Sequence, residues 1–150
     1  MAKVFTTQRR IRFSHCDPAG IVYFVNFFDM ISGCVEDWFR DAVGLPFNEM
    51  HIVRRLGFPI VNTGCEFFRP CHLGDQLVLE LAIAKLGSSS IDLAIDSFVD
   101  GRPCFKARHT VCVFSSETYK AVPIPAALRT RMEPYVVAVV ARRRTGRRRA

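Results

Sequence analysis

Apolar and polar positions change period several times along the chain. Residues 4–13 are rich in strand formers, and Ile11 and Phe13 alternate with Arg10 and Arg12, the period of a half-buried strand that ends near Ser14. Asp17, Pro18 and Gly20 then fall within four positions, which breaks regular structure and predicts a loop over 14–20. From 22 to 43, Phe27, Ile31, Cys34, Val35, Trp38 and Ala42 recur at steps of three and four, giving one face of a helix of several turns. Asp29, Glu36, Asp37 and Asp41 lie mostly off that stripe, and Gly44 with Pro46 supplies a stop. A shorter helical piece is expected over 46–55.

After Gly57 the pattern turns to strands, at 59–69, 76–86, 90–99 and 103–114, each bounded by Gly, Pro, Ser or Asp. Leu77-Val-Leu-Glu-Leu-Ala-Ile alternates as a strand with one buried face does, and Asp100-Gly101 marks a tight hairpin. A last helix is expected over 125–133. One strand, one long helix and four consecutive strands lack the alternation of a parallel α/β fold, so the expected class is α+β with a mainly antiparallel sheet. The expected domain is 1–141, followed by a basic, disordered tail over 142–150.

Composition narrows the function classes. Of 150 residues, 49% are hydrophobic and 23% charged, with 13 Phe, which excludes a disordered or collagen-like chain. The net charge of +7 suggests nucleic acid until it is divided: six arginines lie within 142–149, leaving 15 basic and 14 acidic residues elsewhere. A nucleic-acid-binding fold carries its basic surface on the folded part, so nucleic acid is not an expected partner of the domain. The apolar run over 136–141 is far short of the roughly 20 residues of a membrane span, and the first ten residues lack a signal peptide's apolar stretch. The expected location is the cytoplasm. Six Cys without a C-x-x-C pair are expected to be reduced, with neither a disulfide framework nor a metal site.

The motifs of serine hydrolases, zinc proteases, P-loop NTPases and dinucleotide-binding enzymes are missing. What remains is the loop over 14–20 leading into the long helix. The first helical turn presents backbone N–H donors and the positive end of a dipole to a developing oxyanion. Asp17 stands just before it, a carboxylate able to attack a carbonyl or to act as general base on water. Pro18 restricts Asp17 to extended conformations, and Gly20 permits close approach of a ligand to the backbone. The competing reading is that Asp17 only caps a turn.

His15-Cys-Asp-Pro-Ala-Gly-Ile-Val-Tyr-Phe-Val-Asn26 closely resembles the signature of the 4-hydroxybenzoyl-CoA thioesterase family of hotdog-fold proteins. Downstream, Phe58-Pro-Ile-Val and Phe67-Phe-Arg-Pro-Cys-His-Leu-Gly-Asp75 resemble that family's strand-turn-strand element, and the likeness covers roughly residues 8–120. The resemblance implies a long helix wrapped by a curved antiparallel sheet of about five strands. It implies hydrolysis of an acyl-CoA thioester to the free acid and CoA, without a cofactor, in a homodimer or homotetramer; Phe and Val near the helix start suit an aromatic or short to medium-chain acyl group, and acyl carrier protein is the alternative carrier. Asp17 matches the family's catalytic aspartate, and the N–H of Phe24, with that of Tyr23 as a second candidate, matches the donor to the thioester carbonyl. Gly20, Asn26, Lys85 and Ser90 are the candidate substrate contacts. Arg69, His72 and Asp75 are expected to fix a turn. Some relatives carry a basic cluster suited to the CoA phosphates where this chain has only Lys85 before a Gly-Ser-rich turn; Arg102, Lys106 and the terminal arginines are other candidates for that work. The alternatives are a hotdog hydratase or dehydratase with a His-carboxylate pair, and a non-catalytic acyl-CoA-binding protein.

Overall fold

Five strands form one antiparallel sheet, and its long strands follow directly from the alternation in the sequence. The computed structural model describes residues 2–137; the tail over 142–150 lies outside them. The elements are β1 (Phe5–Arg10), α1 (Phe24–Trp38), β2 (Leu56–Gly57), β3 (Ile60–Phe67), β4 (Gln76–Leu86), β5 (Ser90–Val99), β6 (Arg102–Cys112), β7 (Phe114–Ser115), β8 (Lys120–Ala121) and α2 (Ala126–Met132). The large sheet has the order β1-β4-β5-β6-β3, and β2, β7 and β8 make a small second sheet. Asp100 and Gly101 both have positive φ, 50° and 72°, as the tight turn between β5 and β6 requires.

The long helix packs its stripe on this curved sheet. Phe27, Ile31, Cys34 and Trp38 are buried as the spacing predicts, together with Met30. They meet Leu77, Leu79, Leu81, Leu93, Ile95, Phe105 and Ala107 from the inner face of the strands. Each such fully buried side chain contributes roughly 1.5–3 kcal/mol of transfer free energy. Burial holds the Cys34 thiol up to about 12 and that of Cys65 to about 11. The architecture is the α+β fold expected from the sequence, one long helix against a curved antiparallel sheet of five strands.

Two expectations are corrected. The first strand stops at Arg10, and a short turn of 3-10 helix (Phe13–His15) follows, leaving Phe13 84% exposed. Ile11 is buried as expected, and β1 keeps that phase with Phe5, Thr7 and Arg9 inward. Arg9 tolerates that side because it forms an ion pair with Asp37 of α1. The long helix also changes its winding, passing from α-helix to a π-helical turn (Phe39–Val43) before Gly44 closes it at φ 75°. Among the described residues no helix is long and apolar enough to cross a membrane.

Candidate active site

The loop before α1 is a small hairpin closed by its own backbone. Cys16 and Val22 form an antiparallel bridge, the Asp17 amide donates to Ile21 O at 2.9 Å, and the Tyr23 amide donates to His15 O at 3.0 Å. In that register Asp17, His15, Ile21 and Tyr23 share one face, and Val22 turns to the core. The turn itself is built by Asp17 and Gly20: the Gly20 amide donates to Asp17 O at 3.0 Å with φ at 76°, and the Ala19 amide donates to Asp17 Oδ1 at 2.8 Å. Asp17 thus fixes its turn with one carboxylate oxygen, and Oδ2 has no protein donor among the described residues. The capping and catalytic readings of Asp17 are compatible, because each uses a different oxygen.

The strand-turn-strand element braces this hairpin from outside. Val22 N–H donates to Cys71 O at 2.9 Å, Leu73 N–H donates to Gly20 O at 3.1 Å, and Ile21 bridges His72. Asp75 accepts the His72 amide at 2.8 Å, so His72 and Asp75 fix the turn as expected. A cleft of about 500 Å³ lined by Phe13, Cys16, Asp17, Pro18, Gly20 and Leu73 opens beside the carboxylate. The bracing role of Leu73 and Cys71 was not read from the sequence, since their backbone groups do the work and backbone groups leave no residue signature.

Of the two candidate amides, the structure leaves one free. Tyr23 N–H is spent on His15, whereas Phe24 N–H, at the first position of α1, meets no acceptor among the described residues. Phe24 lies among aromatic rings: 5.3 Å from Tyr23 and 6.4 Å from Phe67 between centroids, with Phe27 5.1 Å from Phe105 behind them. Tyr23, Phe24, Phe67 and Phe68 are each about half exposed, so this end of the helix offers an open aromatic surface beside a free N–H.

The remaining candidates fall elsewhere. Asn26 Nδ2 donates to His15 O at 2.8 Å, which makes Asn26 a brace between the first turn of α1 and the loop. His15 accepts the Arg12 amide on Nδ1 at 2.9 Å, which spends its basic nitrogen. Lys85 and Ser90 flank the turn at the far end of β4, about 30 Å from Gln76 at strand rise, so within one chain they do not converge with Asp17. Ser90 O accepts the Gly87 amide at 2.8 Å, an ordinary turn contact. Among the described residues no cluster of three or more His, Cys, Asp or Glu side chains could hold a metal ion.

A five-stranded sheet around one long helix, with a carboxylate-bearing hairpin at the helix start, defines the class. The chain belongs to the thioesterase-like superfamily, whose profile matches residues 11–132. It is 30% identical to the 1,4-dihydroxy-2-naphthoyl-CoA hydrolase of Synechocystis sp. (strain ATCC 27184 / PCC 6803 / Kazusa), over 84% of this chain and 92% of that protein. It is 36% identical to the 4-hydroxybenzoyl-CoA thioesterase of Pseudomonas sp. (strain CBS-3), over 57% of this chain and 61% of that one. The crystal structure of Slr0204, a 1,4-dihydroxy-2-naphthoyl-CoA thioesterase from Synechocystis, has the same fold, with a TM-score of 0.79, 23% identity and coverage of 87% of this chain and 96% of that chain.

Proposed function

We propose that this chain is a thioesterase that hydrolyses the CoA thioester of an aromatic acid, with the Phe24 amide polarising the carbonyl and Asp17 directing the attack. The observation that carries the reading is the pairing of a free helix-start N–H with a carboxylate held on the adjoining hairpin. An oxyanion forming at the carbonyl accepts the Phe24 N–H and meets the positive end of α1; one such donor is worth roughly 3–4 kcal/mol in the transition state. Two courses fit the geometry. Asp17 takes a proton from water as the oxygen of that water bonds to carbon, or Asp17 Oδ2 itself bonds to carbon and water later opens the mixed anhydride. In both, the C–S bond breaks and the CoA thiolate takes up a proton, so no cofactor enters.

The aromatic preference is supported by the half-exposed rings of Tyr23, Phe24 and Phe67 beside that amide, and by the naphthoyl and hydroxybenzoyl thioesters named for the two relatives. The same reading makes the active unit at least a homodimer. β3 is a sheet edge with Ile60, Val61 and Phe67 exposed at 47%, 63% and 46%, and an uncovered apolar edge of that length is satisfied by antiparallel pairing with a second copy. We place the reaction in the cytoplasm, a reading supported by six cysteines with no disulfide among them.

The test is thiol release from a panel of benzoyl, hydroxybenzoyl, naphthoyl and short to long aliphatic CoA thioesters, by wild type and Asp17→Asn side by side. The expected result is hydrolysis of aromatic thioesters that falls by about 10²–10⁴ in kcat in the variant. An Asp17→Asn enzyme with near-normal kcat, or a wild type silent on the whole panel, would end this reading.

A further inference from the structure

Placing Lys85 and Ser90 at the far end of the sheet leaves the phosphates of the CoA carrier to other basic groups of the chain. Most arginines of the domain are committed: Arg9 to Asp37, Arg54 to Glu49, Arg108 to Asp96, Arg129 to Gly87 O and Arg131 to Val43 O. The guanidinium groups of Arg12, Arg55, Arg69 and Arg102 have no such partner among the described residues; Arg69 and Arg102 are the two of these that share a cleft. Both line one cleft of about 350 Å³ at the end of the sheet that carries the catalytic hairpin, together with Pro70, His72, Asp75, Val99 and Asp100.

The position of that cleft suits a carrier attached to a thioester at Phe24. Phe67 stands edge-on to Phe24, and Arg69 follows it by two residues, at most about 7 Å further along the backbone. A pantetheine arm spans about 15 Å between its sulfur and the pyrophosphate at ordinary bond lengths. The charge balance of the cleft is mixed. Asp75 is committed to its turn, where it accepts the His72 amide and stands 3.8 Å from the His72 ring nitrogen, while Asp100 occupies the hairpin corner. Arg69 and Arg102 are therefore the groups available to a polyanion, through charge-assisted, forked hydrogen bonds.

We propose that Arg69 and Arg102 anchor the phosphate groups of the CoA carrier, the pantetheine arm passing along Phe67 to the Phe24 amide. This rests on the acyl-CoA reading above and gives it a carrier site. The test is equilibrium binding of free CoA, adenosine 3′,5′-bisphosphate and pantetheine to the full chain, by calorimetry at low and moderate salt. The expected result is that R69Q/R102Q weakens CoA and the bisphosphate at least tenfold and flattens their salt dependence. Pantetheine, which lacks the anchored phosphates, is affected alike in variant and wild type, and R69K/R102K recovers most of the loss. Unchanged CoA affinity in R69Q/R102Q, a loss that pantetheine shares, or a loss produced by Lys85→Gln in its place would each overturn the proposal. The two readings fail separately. Asp17-dependent hydrolysis with CoA affinity indifferent to R69Q/R102Q removes the anchor alone; Arg-dependent CoA binding by a protein that hydrolyses nothing removes the hydrolysis reading alone.

Discussion

Asn26 reaches back from the first turn of α1 and donates its side-chain N–H to the carbonyl of His15, 2.8 Å away and eleven residues earlier. The same carbonyl accepts Tyr23 N–H, so one oxygen ties the end of the Asp17 hairpin to the start of the helix. The distance from carboxylate to the free Phe24 amide is set by this double contact. Asn26→Ala is expected to cost about 1 kcal/mol of stability, one net hydrogen bond with the carbonyl still half satisfied. It is expected to lower kcat about tenfold with little change in KM, since the Asn26 side chain acts through the His15 carbonyl on the placement of Asp17 and Phe24. Asn26→Asp, which sets a carboxylate against the carbonyl, is expected to be worse on both measures. Equal kcat in wild type and Asn26→Ala would remove Asn26 from the machinery.

Gly20 has φ at 76° and nothing within 4 Å of the position a Cβ would take, so its requirement is conformational and not one of space. Alanine there carries the left-handed penalty of about 1–2 kcal/mol, and relieving it would turn the Gly20 amide off Asp17 O and release the turn. Asparagine, which enters that region more readily, is expected to retain more stability and more activity than alanine. A thermal melt and kcat on the three proteins decide it; alanine and asparagine variants indistinguishable from wild type would show the turn to be dispensable.

Much of this arrangement was legible before the structure, and the parts that were not have a common cause. β4 and β5 begin and end at the residues the alternation predicts, because their inner positions meet one continuous core. The same rule overran the end of β1: Phe13 turns outward because the chain leaves the strand after Arg10 and enters the 3-10 turn (Phe13–His15). Strands of two residues such as β2, β7 and β8 are too short to carry a period. In the site, Asp17 and Gly20 stood out by residue type, whereas the choice between the Tyr23 and Phe24 amides depended on where His15 O points. That is a backbone fact no side-chain pattern encodes.

The ion pair that holds Arg9 on the inner face of β1 is itself testable. Arg9 and Asp37 are 28% and 20% exposed, and Asp37 also meets Arg40 at 3.1 Å. Asp37→Ala strands a half-buried guanidinium between β1 and α1; partial exposure reduces the penalty to about 1–2 kcal/mol. Arg9→Met, which removes the charge and keeps the apolar stem, is expected to cost less than Asp37→Ala. Urea midpoints measure both, and the reverse order would mean that the pair is held for its geometry and not by the cost of an unpaired charge.

His109 gives the fold a pH dependence with a definite sign. The side chain is 3% exposed on β6, its Nε2 is 3.2 Å from Thr63 Oγ1 of the edge strand, and burial depresses its basicity below the ordinary value of 6.5. The unfolded chain therefore takes up this proton before the folded one does as pH falls. Its contribution to stability is complete above about 6.5 and is lost as pH drops from there through the lower folded value. The ring faces a small apolar cavity shared with Ser32, Val35, Phe47, Phe58, Ile60 and Val111, in which no carboxylate is present to stabilise an imidazolium. Urea midpoints between pH 5 and 8 are expected to fall on the acid side in the wild type, and to fall less in His109→Gln, which removes only the buried imidazole. Parallel midpoint curves for the two proteins would show that His109 carries none of the acid sensitivity.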